Sequence, residues 1–141
     1  MKSIFHLAYV SSAVKLFSKH ELAELLFQAR EKNRKLGITG MLLYKGGKFM
    51  QVLEGEESIV RQLCESIRRD PRHHEMTVLL EENIPVRQFS DWSMGFRSFT
   101  DKDVMAMPGF TQYMNRSLDA DNFKHDPSGC LKMLNLFRVA T

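Results

Sequence analysis

The chain has 141 residues, 43% hydrophobic and 26% charged, with a net charge of +3. That length fits one domain with a core of its own, and that composition excludes a disordered or fibrous chain. The mild positive charge is scattered among acids, so no nucleic-acid stripe is expected, and no apolar run approaches the ~18 residues of a membrane span.

The two cysteines, Cys64 and Cys130, form no CxxC pair and imply no disulfide framework. After Lys2 the N-terminal stretch is interrupted by His6, Lys15 and Lys19, which is unlike a signal peptide. A cytoplasmic protein, off the membrane and not bound to nucleic acid, is the expectation.

Residues 3–11 read as a first strand, apolar on both faces and therefore central. Alternation places Phe5, Leu7 and Tyr9 on one face, and Ile4, His6, Ala8 and Val10 on the other. Ser18 with Glu21 forms a capping box that starts a first helix, and Gly37 ends it. Leu22, Leu25, Leu26, Ala29 and Leu36 mark its inner stripe, which also carries Asn33.

Residues 38–45 and 48–54 read as strands joined by Gly46-Gly47, a two-residue hairpin. That turn would pair Leu42 with Gln51 and Tyr44 with Phe49, leaving Gln51 on the apolar face of Phe49 and Leu53. A second helix from Glu56 to Arg69 turns Ile59, Val60, Leu63 and Ile67 inward, and Pro71 stops it. Glu54, Glu56 and Glu57 read together as an acidic helix start favoured by the dipole.

Residues 75–82 give a fourth strand and residues 92–96 a fifth; residues 83–91 and 115–125 read as looser connections. The remainder reads as helical, with Thr100 and Asp103 as a capping box, and Asp126-Pro127 as an N-cap followed by Pro at the first position. Cys130, Met133, Leu134 and Phe137 form an apolar stripe expected to cover the outer face of the sheet. The order βαββαβ, with an extra fifth strand and a C-terminal helical extension, is a ferredoxin-like α+β arrangement.

In that fold the first and third strands are neighbours, so Tyr9 and Gln51 could approach each other below Asn33. Buried Tyr, Asn and Gln are often just satisfied core groups. Three converging at one end of a sheet point further. Two amides and a phenol offer donors and acceptors suited to a planar heterocycle with C=O and N–H edges.

The run GITGMLLYKGGKFMQVLEG (residues 37–55), with Tyr9 ahead of it, resembles the BLUF family of flavin-based blue-light sensors. So do Asp70-Pro71-Arg72-His73-His74 and Asp91-Trp92-Ser93-Met94. The resemblance covers residues 3–99. It implies that residues 1–99 form the flavin-binding domain, and that helices over 100–141 pack on its sheet within the same structural unit.

By the same resemblance Tyr9 is the photoactive tyrosine, and Gln51 stands between it and the flavin. Asn33 bonds the ring edge. Leu25, Ala29, Phe49 and Ile67 line the ring slot, and Asp70, Arg72 and His73 meet the ribityl and phosphate groups. Trp92 and Met94 report the state of the site. Light would drive electron and proton transfer from Tyr9 and a hydrogen-bond switch at Gln51, with no product released. FAD is the implied cofactor, with FMN as the alternative. A downstream protein partner and a homo-oligomer, a dimer or larger, are also implied.

Two positions depart from the pattern: Ala29 stands where some members carry Ser, and Ser66 where some carry a basic residue. His73-His74 has no Cys or acidic partner at metal-ligand spacing, so no metal is expected. Two other functions fit less well. An acylphosphatase-like enzyme wants an Arg in the loop after the first strand, which here reads Ser11-Ser12-Ala13-Val14-Lys15. An RRM-like RNA-binding module wants exposed aromatics in a basic, Gly-rich signature, which Gln51 and Glu54 do not match.

Overall fold

The computed structural model describes residues 3–89, 95–98, 118, 123, 129 and 131–134. Trp92, Met94, Cys130, Phe137 and the C-terminal capping motifs fall outside the described residues.

The elements follow in the order β1 (Ile4–Ala13), α1 (Lys19–Leu36), β2 (Thr39–Lys45), β3 (Lys48–Gly55), α2 (Glu57–Arg68), β4 (His73–Ile84) and β5 (Gly95–Ser98). Among the described residues the sheet has the order β4-β1-β3-β2-β5. Each neighbouring pair among the first four strands is antiparallel, and β5 joins the edge parallel to β2. This is the ferredoxin-like α+β fold with an added edge strand.

Local chemistry fixes the boundaries. Ser18 Oγ accepts the Glu21 amide at 3.1 Å, and the Glu21 carboxylate accepts the Ser18 amide at 2.9 Å, closing the capping box at the start of α1. Gly37 ends the helix at φ 69°, a left-handed conformation that costs glycine little. Gly46 and Gly47 both take positive φ, as a primed hairpin turn requires, and this sets the pairs Leu42–Gln51 and Tyr44–Phe49.

Both faces of the sheet are covered. On one face, Phe5, Leu7, Tyr9 and Leu53 pack with Leu22 and Leu26 of α1 and with Val60, Leu63 and Cys64 of α2. Each fully buried Leu there contributes about 2 kcal/mol. On the other face, Ala8, Val10, Met50 and Val52 share a buried cluster with Phe89, Leu118, Phe123, Met133 and Leu134. Among the described residues no helix is long and apolar enough to cross a membrane.

β4 runs longer than its sequence suggests, because it follows β1 along its whole length. It does so through two register shifts, one between Ala8 and Tyr9 and one between Val10 and Ser12. The first leaves Leu79 outside the pairing, so that Leu79 and Leu80 both pack against the reverse-face cluster. The second leaves out Glu75, whose φ is 55°. A non-glycine residue in that region carries about 1 kcal/mol of strain. Glu75→Gly is therefore expected to raise the melting temperature, despite added chain entropy in the unfolded state. A lower melting temperature would show that the Glu75 side chain outweighs its backbone strain.

Glu54 corrects the sequence reading. Its carboxylate belongs to no helix start: it points to the reverse face and is fully buried beside His6. Glu56 is the residue before α2, without a side-chain cap, and Glu57 opens the first turn. Burial pushes the Glu54 carboxyl up. Contact with His6 and hydrogen bonds from the Gln88 and Phe89 amides outweigh it and hold the group below the usual carboxylate range. A group lowered on folding stabilises fully above its unfolded value, near ~4.3 for Glu, and that stability is lost as pH falls through the lower folded value. An acid titration by circular dichroism should therefore show wild type losing its advantage over Glu54→Gln below about pH 4. An advantage that did not vary with pH would refute it.

Candidate functional site

α1 and α2 do not close against each other over the sheet. They leave a cavity of about 230 Å³ whose floor is the middle of β1, β2 and β3. From α1 it is lined by Leu25, Gln28, Ala29, Lys32 and Asn33, and from α2 by Leu63, Ser66 and Ile67. Tyr9, Ser11, Leu42, Phe49 and Gln51 form the floor, and Phe17 closes one side. Asp70, Arg72 and His73, on the turn from α2 into β4, stand at its edge.

The floor is polar at one place. Tyr9 and Gln51 are directly paired across the β1–β3 ladder, so their side chains rise from the same face. The Tyr9 hydroxyl donates to Gln51 Oε1. Tyr9 is 3% exposed, Gln51 5% and Asn33 2%. Burial is the main cause that pushes the Tyr9 hydroxyl well above the ordinary phenol value, with Cys64 and Asp70 adding to it. Burial thus favours the protonated, neutral Tyr9 hydroxyl, which can donate.

His73 is oriented from both ring nitrogens. Nε2 faces the Ile67 carbonyl, which can only accept, so Nε2 carries a proton. In the neutral ring Nδ1 then accepts from the Ser11 hydroxyl at 2.9 Å. At the mouth Asp70 pins Arg72: Nη2 donates to Oδ2 at 2.6 Å, Nε to Oδ1 at 3.0 Å, and the Arg72 amide to Oδ1 at 2.9 Å. The Arg72 hydrogen bonds, against a smaller effect of burial, hold the Asp70 carboxyl below its usual range.

All ten residues expected around a cofactor line this one cavity: Tyr9, Leu25, Ala29, Asn33 and Phe49, together with Gln51, Ile67, Asp70, Arg72 and His73. Trp92 and Met94 lie outside the described residues. The sequence reading left out Gln28 and Lys32, although they follow Leu25 at helical spacing on the same face as Ala29 and Asn33. It also left out Ser11, two residues beyond Tyr9 on the same face of β1. Phe17 carries no sequence signal. It reaches the cavity because its amide donates to the Tyr44 hydroxyl at 3.0 Å and its ring packs edge-on against Phe49.

The donor set suits a flavin. Apolar walls from Leu25, Ala29, Leu63 and Ile67 fit a flat ring, and amides at the inner end fit a ring edge with C=O and N–H groups. The cationic Lys32 and Arg72 at the rim fit an anionic tail. Among the described residues no cluster of His, Cys, Asp and Glu could hold a metal ion.

A family model described as sensors of blue-light using FAD matches residues 4–95. The chain belongs to the BLUF family. The photoactivated adenylate cyclase subunit beta of Euglena longa is 35% identical over 89 residues, 62% of this chain but only 10% of that protein. BlrB, a BLUF protein in its dark-state structure, superimposes with a TM-score of 0.76 at 28% identity, covering 100% of this chain and 99% of that one. Klebsiella pneumoniae BlrP1, with FMN and cyclic diGMP, gives a TM-score of 0.65 at 28% identity over 89% of this chain and 35% of its own. The family is described as one of blue-light sensors that use a flavin.

Proposed function

We propose that the slot between α1 and α2 holds the ring of a flavin and that Tyr9 and Gln51 are its photoswitch. The observation that carries this reading is the hydrogen bond from Tyr9 to Gln51 on the floor of a slot whose wall presents Asn33. A bound flavin supplies blue absorption and, once excited, a strong one-electron oxidant. The chain's own part is to hold a proton where it can move. Tyr9 would be the electron donor to that oxidant, and the Gln51 amide that already accepts from its hydroxyl would take the proton; the amide would then turn as electron and proton return to Tyr9. Nothing is consumed, and the changed hydrogen bonding around Gln51 is the signal.

Asn33 holds the ring edge, while Leu25, Ala29, Phe49 and Ile67 keep water from its faces. Asp70 fixes Arg72 for the ribityl and phosphate groups, and His73 stands beside them. The family's description names FAD, and FAD is the cofactor assigned here; the rim cations Lys32 and Arg72 suit either its diphosphate or the single phosphate of FMN. Trp92 and Met94 complete the switch on the evidence of the motif they share with the family.

Residues 1–99 form the flavin-binding part in this proposal, and residues 100–141 belong to the same unit. Support comes from the buried cluster joining Leu118, Phe123, Met133 and Leu134 to the sheet. Output passes to a separate protein through a homo-oligomer in the cytoplasm, with no part for nucleic acid or membrane.

An absorption spectrum of the purified protein before and after blue light tests the reading. A bound flavin with a small reversible red shift is the expected result, and the released chromophore identifies FAD or FMN. A protein that stays colourless after incubation with both flavins would refute it.

A further inference from the structure

The reverse face of the sheet carries a polar row to which the switch assigns no part. Tyr9, Gln51 and Leu42 lie side by side across β1, β3 and β2 on the slot face. Three residues along β3, His6, Glu54 and Thr39 lie side by side on the other face. His6 and Glu54 are both fully buried. A carboxylate placed there costs several kcal/mol unless its lone pairs are met.

They are met by the segment that leads to β5. Glu54 Oε2 accepts the Gln88 amide and Oε1 the Phe89 amide, each at 2.8 Å. Thr39 Oγ1 donates to Oε1 at 3.3 Å. His6 Nδ1 lies 3.2 Å from Oε2, an ion-pair distance without hydrogen-bond alignment, and His6 Nε2 has no partner among the described residues. The Arg87 guanidinium closes the arrangement. Its Nη1 donates to Thr39 Oγ1 and to the Glu54 carbonyl, each at 2.9 Å. Its Nη2 donates to the Gly37 carbonyl, at the end of α1, at 2.7 Å.

Phe89, 2% exposed, then enters the reverse-face cluster, and Gly95 opens β5 six residues later. A hydrophobic residue at position 54 would pack the face as well, but it could not hold two successive amides. We propose that Glu54 is a positioning residue of the light response. It fastens segment 87–89, which precedes β5 in the chain, to the strand that carries Gln51. This rests on the reading of the slot as a light-sensing flavin site. Glu54 and Gln51 sit only about 10 Å apart on one strand, so a shift of β3 when Gln51 turns reaches the attachment of that segment directly.

Hydrogen exchange of the Gln88 and Phe89 amides in the full flavin-loaded chain, in the dark and under continuous blue light, tests the proposal. Illumination is expected to change the exchange of both by about tenfold, the effect of weakening one charge-assisted hydrogen bond. Glu54→Gln should keep the bound flavin and its red shift, lose about tenfold of dark protection at both amides, and alter the dark-recovery rate several-fold. It should also lose the light-induced fluorescence change of Trp92, the only tryptophan in the chain.

A wild type whose absorption shifts while both amides stay unchanged overturns the proposal. So does a Glu54→Gln variant with wild-type recovery and Trp92 response. If Glu54→Gln does not fold, wild-type exchange and Arg87→Gln, which removes only the outer bonds, decide in the same way. A wild type with no red shift instead overturns the sensor reading, a result separate from either of these.

Discussion

Replacing Tyr9 with phenylalanine is expected to leave the flavin bound and to abolish the light-induced red shift. The substitution keeps the ring that packs between Leu7 and the slot and deletes one hydroxyl. Its structural cost is the acceptor left on Gln51, about 1–3 kcal/mol for a buried group, against a domain stability of roughly 5–15 kcal/mol. The domain should fold and the slot should form. The chemical loss is total. Phenylalanine is a far poorer electron donor and has no proton to pass to the Gln51 amide. Because Tyr9 is held protonated by its burial, the wild-type photoreaction should also show no loss attributable to Tyr9 ionisation as pH rises. A light-minus-dark spectrum of the variant checks the main claim. A full red shift in Tyr9→Phe would assign the switch to another donor, and Tyr44, whose ring packs against Phe49, would be the first to replace in turn.

Much of this was legible from residue order alone. The capping box at Ser18 and Glu21, the stop at Gly37 and the two-glycine hairpin are local signals that need no tertiary context. Once the hairpin register is known, Gln51 must face the helices, and the strand order then sets it beside Tyr9. The bulges in β4 were not legible, because strict alternation is only a default. Leu79 and Leu80 turn to the same face to fill a cluster supplied partly by residues far along the chain. Glu54 was misread for a related reason. Next to Glu56 and Glu57 it looks like surface charge, and the amides that justify burying it lie more than thirty residues away. Gln28 and Lys32 show a third kind of miss. Their spacing was readable, but polar residues on a helix default to solvent, and only the gap between α1 and α2 turns them toward a cavity.

Ala29→Phe is expected to produce a folded protein that no longer takes up flavin. Ala29 sits on the wall of the slot one turn from Leu25 and one from Asn33, where the absence of a larger side chain leaves room for a flat ring. A phenyl group at that position would occupy the slot itself. Binding would then require expelling the new ring or forcing the helices apart, and overpacking of that kind costs about 1–3 kcal/mol. With the loss of stacking contacts, affinity should fall at least about a hundredfold. Stability should not fall with it, since the added ring projects into the slot between the helices and not into the packed core. That opposition distinguishes a blocked site from a damaged fold. Ala29→Ser supplies the control: it adds a hydroxyl without closing the slot, and flavin binding should survive. The checks are the flavin-to-protein absorbance ratio after purification and the melting temperature of the flavin-free protein. A yellow Ala29→Phe variant with wild-type affinity would place the ring elsewhere than between α1 and α2, whatever Tyr9 does. A colourless one with an unchanged or higher melting temperature would fix its place between those helices.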